Sequence, residues 1–182
     1  MAGIQHVRLG MAGRYFAAPG IPEAFARMAE AGAETHRMLT RAGKYASEMV
    51  ASGYPLGHAA ACNSPYDYFA DYLRGSKGAM LDMFRHKDKL LEAMERAIPI
   101  MARAAIRDLA NKPCRIVFMP MHWGLDGFMS PDQFKTFYWP QLKKVILRFI
   151  DAGLVPLVLW EGDCTSRLEI IADIPKGKAI YW

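Results

Sequence analysis

Two short, unbroken apolar runs limit what this chain can fold into: Arg115-Ile116-Val117-Phe118-Met119-Pro120 and Val155-Pro156-Leu157-Val158-Leu159-Trp160. Apolar residues that do not alternate with polar ones read as strands covered on both faces, the mark of a parallel sheet. The stretch between them is helical. Ser130 suits the N-cap, Pro131 the first helical position, and Gln133 completes a capping box. Phe134, Phe137, Leu142, Val145, Ile146 and Phe149 then recur on one face, Pro140 should bend the helix, and Gly153 ends it. Strand, amphipathic helix and strand in that order make a βαβ unit.

The rest of the chain continues the alternation. Residues 22–50 are Ala-rich and helical, with a break expected near Gly32 and an end at Gly53-Tyr54-Pro55. Residues 57–62 form a weak strand, read from position alone. Asn63-Ser64-Pro65 opens a short helix through Leu73, stopped by Gly75, and a second runs from Lys77 to Phe84. A long helix from Lys87 to Asn111 carries Leu90, Leu91, Met94, Ile98 and Met101 at helical spacing, with a kink expected at Pro99. After the second apolar strand come a short helix, 165–174, and a last strand, 178–182.

Composition narrows the class. With 52% hydrophobic and 23% charged residues, the chain has the balance of a folded globular domain. No apolar run reaches the roughly 18–20 residues that span a bilayer, so no membrane partner is expected. The opening MAGIQHVRLGMAGRYF lacks a long apolar core with a cleavage site and predicts no secretory signal. Cys62, Cys114 and Cys164 are odd in number, far apart and without CxxC spacing, which suits a reducing cytoplasm. The net charge of +5 is spread along the chain, so no nucleic-acid partner is expected, and an acidic small molecule remains admissible.

Three stretches in register resemble the uroporphyrinogen decarboxylase superfamily. The first is Asn63-Ser64-Pro65-Tyr66-Asp67 through Arg74-Gly75, followed by Met80-Leu81-Asp82-Met83-Phe84-Arg85. The second is Met121-His122-Trp123-Gly124, then Gly127-Phe128-Met129-Ser130-Pro131 and Trp139-Pro140-Gln141-Leu142. The third is Val155-Pro156-Leu157-Val158 running into Glu161-Gly162-Asp163 and Ser166-Arg167-Leu168-Glu169. The resemblance implies a (β/α)₈ barrel, a fold of about 250 residues. The expectation is therefore α/β: an N-terminal helical segment, 1–53, and an incomplete TIM barrel, 54–182, truncated at its C-terminus. Its open sheet edges make a homodimer one of the expected states.

Two chemistries follow from the resemblance. Uroporphyrinogen decarboxylases remove acetate carboxylates from a tetrapyrrole without a cofactor, with an aspartate on the pyrrole nitrogens and arginines on the carboxylates. Their relatives are zinc-dependent methyltransferases that pass a methyl group between a corrinoid protein and a thiol. Both signatures depart from pattern here. The methyltransferase His-x-Cys-Gly falls on Leu159-Trp160-Glu161-Gly162, which keeps no thiolate, although a glutamate can ligate a harder metal. The decarboxylase Arg-Gln-Ala-Gly-Arg-Tyr finds only Ala12-Gly13-Arg14-Tyr15, at a spacing the family does not share, and a decarboxylase tyrosine aligns with Asp71.

In these barrels chemistry sits at the C-terminal ends of the strands, which points to Cys62-Asn63, His122-Trp123 and Glu161-Asp163-Cys164. His122 either transfers protons or binds metal, or it fixes its loop by hydrogen bonding. Glu161, if buried at the barrel mouth, suits general acid work; its other reading is an ion pair with Arg167. Arg167 opposes the dipole of its own helix, which suggests a carboxylate or phosphate ligand or a surface ion pair. Asp163 caps the helix at Thr165 or meets substrate. Asp71 and Arg74, one turn apart, pair with each other or bind substrate alongside Asn63 and Trp123. Asp126 reads as a turn residue. The expected function is a cytoplasmic, cofactor-free carboxy-lyase acting on a carboxylated tetrapyrrole-type small molecule. The alternative is methyl transfer with a corrinoid protein and a metal ion, the metal held by His122, Glu161 and Cys164.

Overall fold

The structure is a computed structural model and describes residues 13–182, so the leader reading and Ala12 of the Ala-Gly-Arg-Tyr match lie outside it. The chain divides into two compact units, Met1–Pro55 and Leu56–Trp182. Among the described residues no helix is long and apolar enough to cross a membrane.

The first unit is dominated by α1, Ile21–Ala51, which starts after Gly20 (φ 84°) with Pro22 and Glu23 in its first turn. The break expected at Gly32 does not occur. One glycine costs a helix only about 1 kcal/mol relative to alanine, and alanines on both sides absorb it.

The second unit is an α/β arrangement around one parallel sheet of order β1-β2-β3-β4: Ala60–Ala61, Ile116–Met121, Val155–Trp160 and Ile180–Tyr181. The two apolar runs pair along their whole length, from Ile116 opposite Val155 to Met121 opposite Trp160. Pro120 and Pro156 sit in inner strands, where proline is normally excluded because it removes a ladder donor. The register explains both. Pairing with β1 stops at Ala61 opposite Phe118, before Pro120, and pairing with β4 starts at Leu157 opposite Ile180, after Pro156.

Helices connect the strands. Between β1 and β2 run α2 (Pro65–Tyr68, widening into a π turn at Phe69–Leu73), α3 (Gly75–Arg85) and α4 (Lys87–Leu109). Pro99 lies inside α4, which continues past it. Between β2 and β3, α5 opens at Pro131–Gln133 with the expected capping box, widens at Phe134–Tyr138 and resumes at Trp139–Asp151. The wide turn is where Pro140 acts: it cannot donate to the Thr136 carbonyl and would clash with it, so the backbone opens instead of breaking. After β3 a 3₁₀ turn, Thr165–Arg167, leads to α6, Leu168–Ile171. The core joins Val117, Met119 and Met121 of β2 and Val158 of β3 to Met94 and Ile98 of α4 and to Phe134, Leu142 and Phe149 of α5.

Candidate active site

Because the sheet is parallel, its C-terminal strand ends lie on one edge, and His122 gathers there with Asp67, Asp71 and Glu161. His122 follows β2 directly, and Glu161 follows β3. The two carboxylates of α2, Asp67 and Asp71, stand one turn apart and face the loop after β2.

Asp67 is fully buried and organises the inner end. Its Oδ2 accepts the backbone N–H of His122 at 3.2 Å and the Tyr138 hydroxyl at 2.7 Å, while Oδ1 accepts the Trp123 N–H at 3.1 Å. Ser64 caps α2 by accepting the Asp67 N–H at 3.0 Å. Burial pushes the Asp67 carboxyl up from 3.8 to about 6, against the pull of Tyr138, the two N–H groups and the nearby imidazole. Tyr138 itself is held far above 10 by burial and by Asp67. Gly124 completes the fit, since a Cβ there would lie 2.4 Å from the Tyr138 ring.

Asp71 forms the rim. Its Oδ2 lies 2.7 Å from His122 Nδ1, and its Oδ1 accepts the Trp123 indole N–H at 2.7 Å. A carboxylate on Nδ1 fixes the imidazole so that Nε2 faces outward, 3.6 Å from Glu161 Oε2. Partial burial lowers the basicity of His122, but the Asp71 hydrogen bond and the charges of Asp67, Asp71 and Glu161 outweigh it, and the net shift is upward. The Trp123 ring packs against Phe128 at 4.6 Å. The arrangement can hold a proton on Nε2 and release it toward a molecule lying over the C-terminal ends of β2 and β3.

Several expectations need correcting. Glu161 is not buried; its side chain is 47% exposed, because the chain turns outward immediately after Trp160. Nor does Glu161 pair with Arg167. Arg167 is 1% exposed and is used as a brace: it donates to the Met129 carbonyl, lies 3.1 Å from Asp126 and stacks 4.8 Å over Phe134. Its ion pair is buried and not a surface one. Asp126 does more than turn the chain, accepting the Ser166 N–H at 2.9 Å and its hydroxyl at 2.8 Å. Arg74 pairs with Asp82, at 2.6 and 3.0 Å, and not with Asp71, which lies inside the π turn and is taken by the loop after β2. Asp163 takes the turn role, accepting the Thr165 N–H and hydroxyl. Asn63 is half-buried beside Cys62, whose thiol donates to the Asn63 carbonyl at 3.5 Å.

The metal reading finds only two facing donors, His122 Nε2 and Glu161 Oε2. Among the described residues no three His, Cys, Asp or Glu side chains converge as a metal-holding group. Burial pushes the Cys62 thiol up to about 12, and burial with nearby carboxylates also raises Cys164, so neither offers a ready thiolate. A catalytic metal commonly takes three protein ligands. The described donors by themselves do not fit one.

Asp67, Ser64 and Tyr138 are the residues sequence reading missed. A signal for Asp67 was present: a carboxylate three residues after a Ser-Pro helix start, between Tyr66 and Tyr68, has no apolar reason to be there. No protein-family model, curated protein or solved structure matches the chain.

Proposed function

We propose that the chain is the site-bearing part of a (β/α)₈ carboxy-lyase of the uroporphyrinogen decarboxylase type, cytoplasmic and acting on a carboxylated tetrapyrrole-type molecule. The observation that carries this reading is His122, with Nδ1 held by Asp71 at 2.7 Å and Nε2 at the rim, 3.6 Å from the exposed Glu161 carboxylate. In the decarboxylation, the bond between the side-chain methylene and its carboxylate breaks and CO₂ departs. The electron pair stays on the methylene carbon, and His122 Nε2–H delivers the proton that makes it a methyl group. The raised basicity of His122 favours the protonated form this step needs.

Asp71 fixes the imidazole, and Asp67 holds the backbone that carries it. Trp123 offers a partly buried aromatic edge to a flat ring system. Arg167 is paired with Asp126 and Met129 and Arg74 with Asp82, so the reading rests on His122 and not on an arginine clamp. Methyl transfer with a corrinoid protein remains the second reading, resting on the facing His122 and Glu161. With two donors it supplies no step here.

The test combines metal analysis, coproporphyrin titration and CO₂ release, on the wild-type chain and on His122→Gln. We expect porphyrin bound without stoichiometric metal, and CO₂ release lowered at least about 100-fold in the variant with its circular dichroism unchanged. Bound metal without porphyrin overturns the lyase reading in favour of methyl transfer. Undiminished turnover in His122→Gln removes the proposed proton donor.

A further inference from the structure

The helix α1 carries a regularity that nothing in the strand-end site uses. Every charged side chain from Glu23 to Glu48 recurs at alternating spacings of four and three: Glu23, Arg27, Glu30, Glu34, Arg37, and on to Glu48. The opposite face follows the same period, from Ile21, Phe25 and Met28 through Gly32, Thr35 and Leu39 to Ala42, Ala46 and Met49. A seam that keeps a seven-residue period over four repeats stays on one side only if the helix winds around another helix. Yet α1 buries none of its residues, and Met28 and Leu39 are 67% and 60% exposed.

We infer that this seam is an interface with a second copy of the same chain, packed antiparallel about a two-fold axis near Gly32–Thr35. Two features of the helix select that occupant. The first is charge. All charged residues are confined to two positions of the repeat, and the positions flanking the seam hold Ala, Met, His, Gly, Tyr and Val, so a copy meets no like charge. The second is volume. The seam is bulky in its first half (Ile21, Phe25, Met28) and small in its second (Ala42, Ala46). An antiparallel copy lays Phe25 against Ala46, Met28 against Ala42 and Leu39 against Gly32, as close packing requires, with Ile21 and Met49 closing each end. A parallel copy would set Phe25 on Phe25 and leave voids at Gly32, Ala42 and Ala46.

The ends fit the same arrangement. Tyr15, Phe16, Ile21, Phe25 and Met28 line an apolar hollow of about 380 Å³, with Phe16 edge-on to Phe25 at 5.6 Å. In the antiparallel pair the partner copy's helix end, the counterpart of the exposed Tyr45 and Val50, reaches this hollow. Over 31 residues the helix is about 46 Å long, long enough for its seam to run through four seven-residue repeats. This inference is independent of the lyase reading.

Sedimentation of the 182-residue chain, with cysteine cross-linking, tests it. We expect a dimer at tens of micromolar, a monomer for the double variant Ala42→Glu/Ala46→Glu, and an unchanged dimer for the control Lys44→Glu, which alters the charged face. Thr35→Cys, near the axis, should cross-link on oxidation above the wild-type background. Ala46→Cys should not, because its copies lie about 30 Å or more apart. A monomeric wild type, a double variant that stays dimeric, or Ala46→Cys linking as readily as Thr35→Cys would each overturn the proposal.

Discussion

The inner end of the strand-end cluster and its rim are built from the same parts, an aspartate of α2 and the loop after β2, yet they differ in solvent access. Asp67 is sealed, accepts three hydrogen bonds and is raised to about 6 by burial. Asp71, one turn on, binds two ring N–H positions and leaves the imidazole open on its far side. One carboxylate fixes where the backbone of His122 runs, and the other fixes which way its ring points. A difference of one helical turn thus separates a structural anchor from a group that tunes chemistry.

Truncating the two carboxylates is the strongest way to break that comparison. Asp67→Ala leaves two buried N–H groups and the Tyr138 hydroxyl without an acceptor and should cost about 3 kcal/mol in urea unfolding. Asp71→Ala, at the rim, should cost about 1 kcal/mol or less. Equal losses would mean that the inner end is no more of an anchor than the rim. The pH dependence sharpens the point. With its folded-state carboxyl near 6 and an ordinary value of 3.8, Asp67 keeps a proton in the folded chain that the unfolded chain has already released. Its contribution is fully present below about pH 4 and is lost as pH rises through 6. Asp67→Asn should remove that slope from the pH series, whatever its effect on the mean stability.

A smaller effect is expected at Gly124. The Cβ of Gly124→Ala would sit 2.4 Å from the Tyr138 ring, and that ring is buried with its hydroxyl on Asp67. We expect a loss of about 1–3 kcal/mol, with His122 displaced because its anchor moves. The same substitution at Gly127, with open space around it, should be close to neutral.

Much of the fold was legible because it depends on local pattern. The apolar runs gave β2 and β3 to within a residue, and Ser130-Pro131-Gln133 gave the start of α5. The site was legible only in part. Strand-end logic placed His122, Trp123 and Glu161 together, as the structure does, since a parallel sheet delivers strand ends to one edge. It gave Arg167 and Arg74 the wrong pairing partners, because an arginine's partners are distant in sequence, Met129 and Asp126 in one case and Asp82 in the other. Asp67 was missed for the same reason: its three donors come from residues 55 or more positions away. The widened turn at Phe134–Tyr138 was foreshadowed by Pro140, but proline fixes only that something must yield there, not how.

The smallest expected effect concerns the open side of His122. Three carboxylates raise its basicity against partial burial, and Glu161, the most exposed of them, contributes least. Charge removal in Glu161→Gln should therefore lower the His122 midpoint less than Asp71→Asn, which also weakens the hydrogen bond to Nδ1. Because the folded-state basicity of His122 is raised, its pairing energy is present below about pH 6.5 and fades as pH rises through the folded-state midpoint. Glu161→Gln should thus reduce stability only on the acid side, by about 0.5 kcal/mol at most for so exposed a pair. Ring-proton NMR of His122 through the titration reads all three chains directly. A fall in Glu161→Gln as large as in Asp71→Asn would make the rim a tightly coupled triad. No fall at all would turn Glu161 away from the imidazole, leaving Asp71 as its sole rim partner and removing the one contact on which the methyl-transfer reading rests.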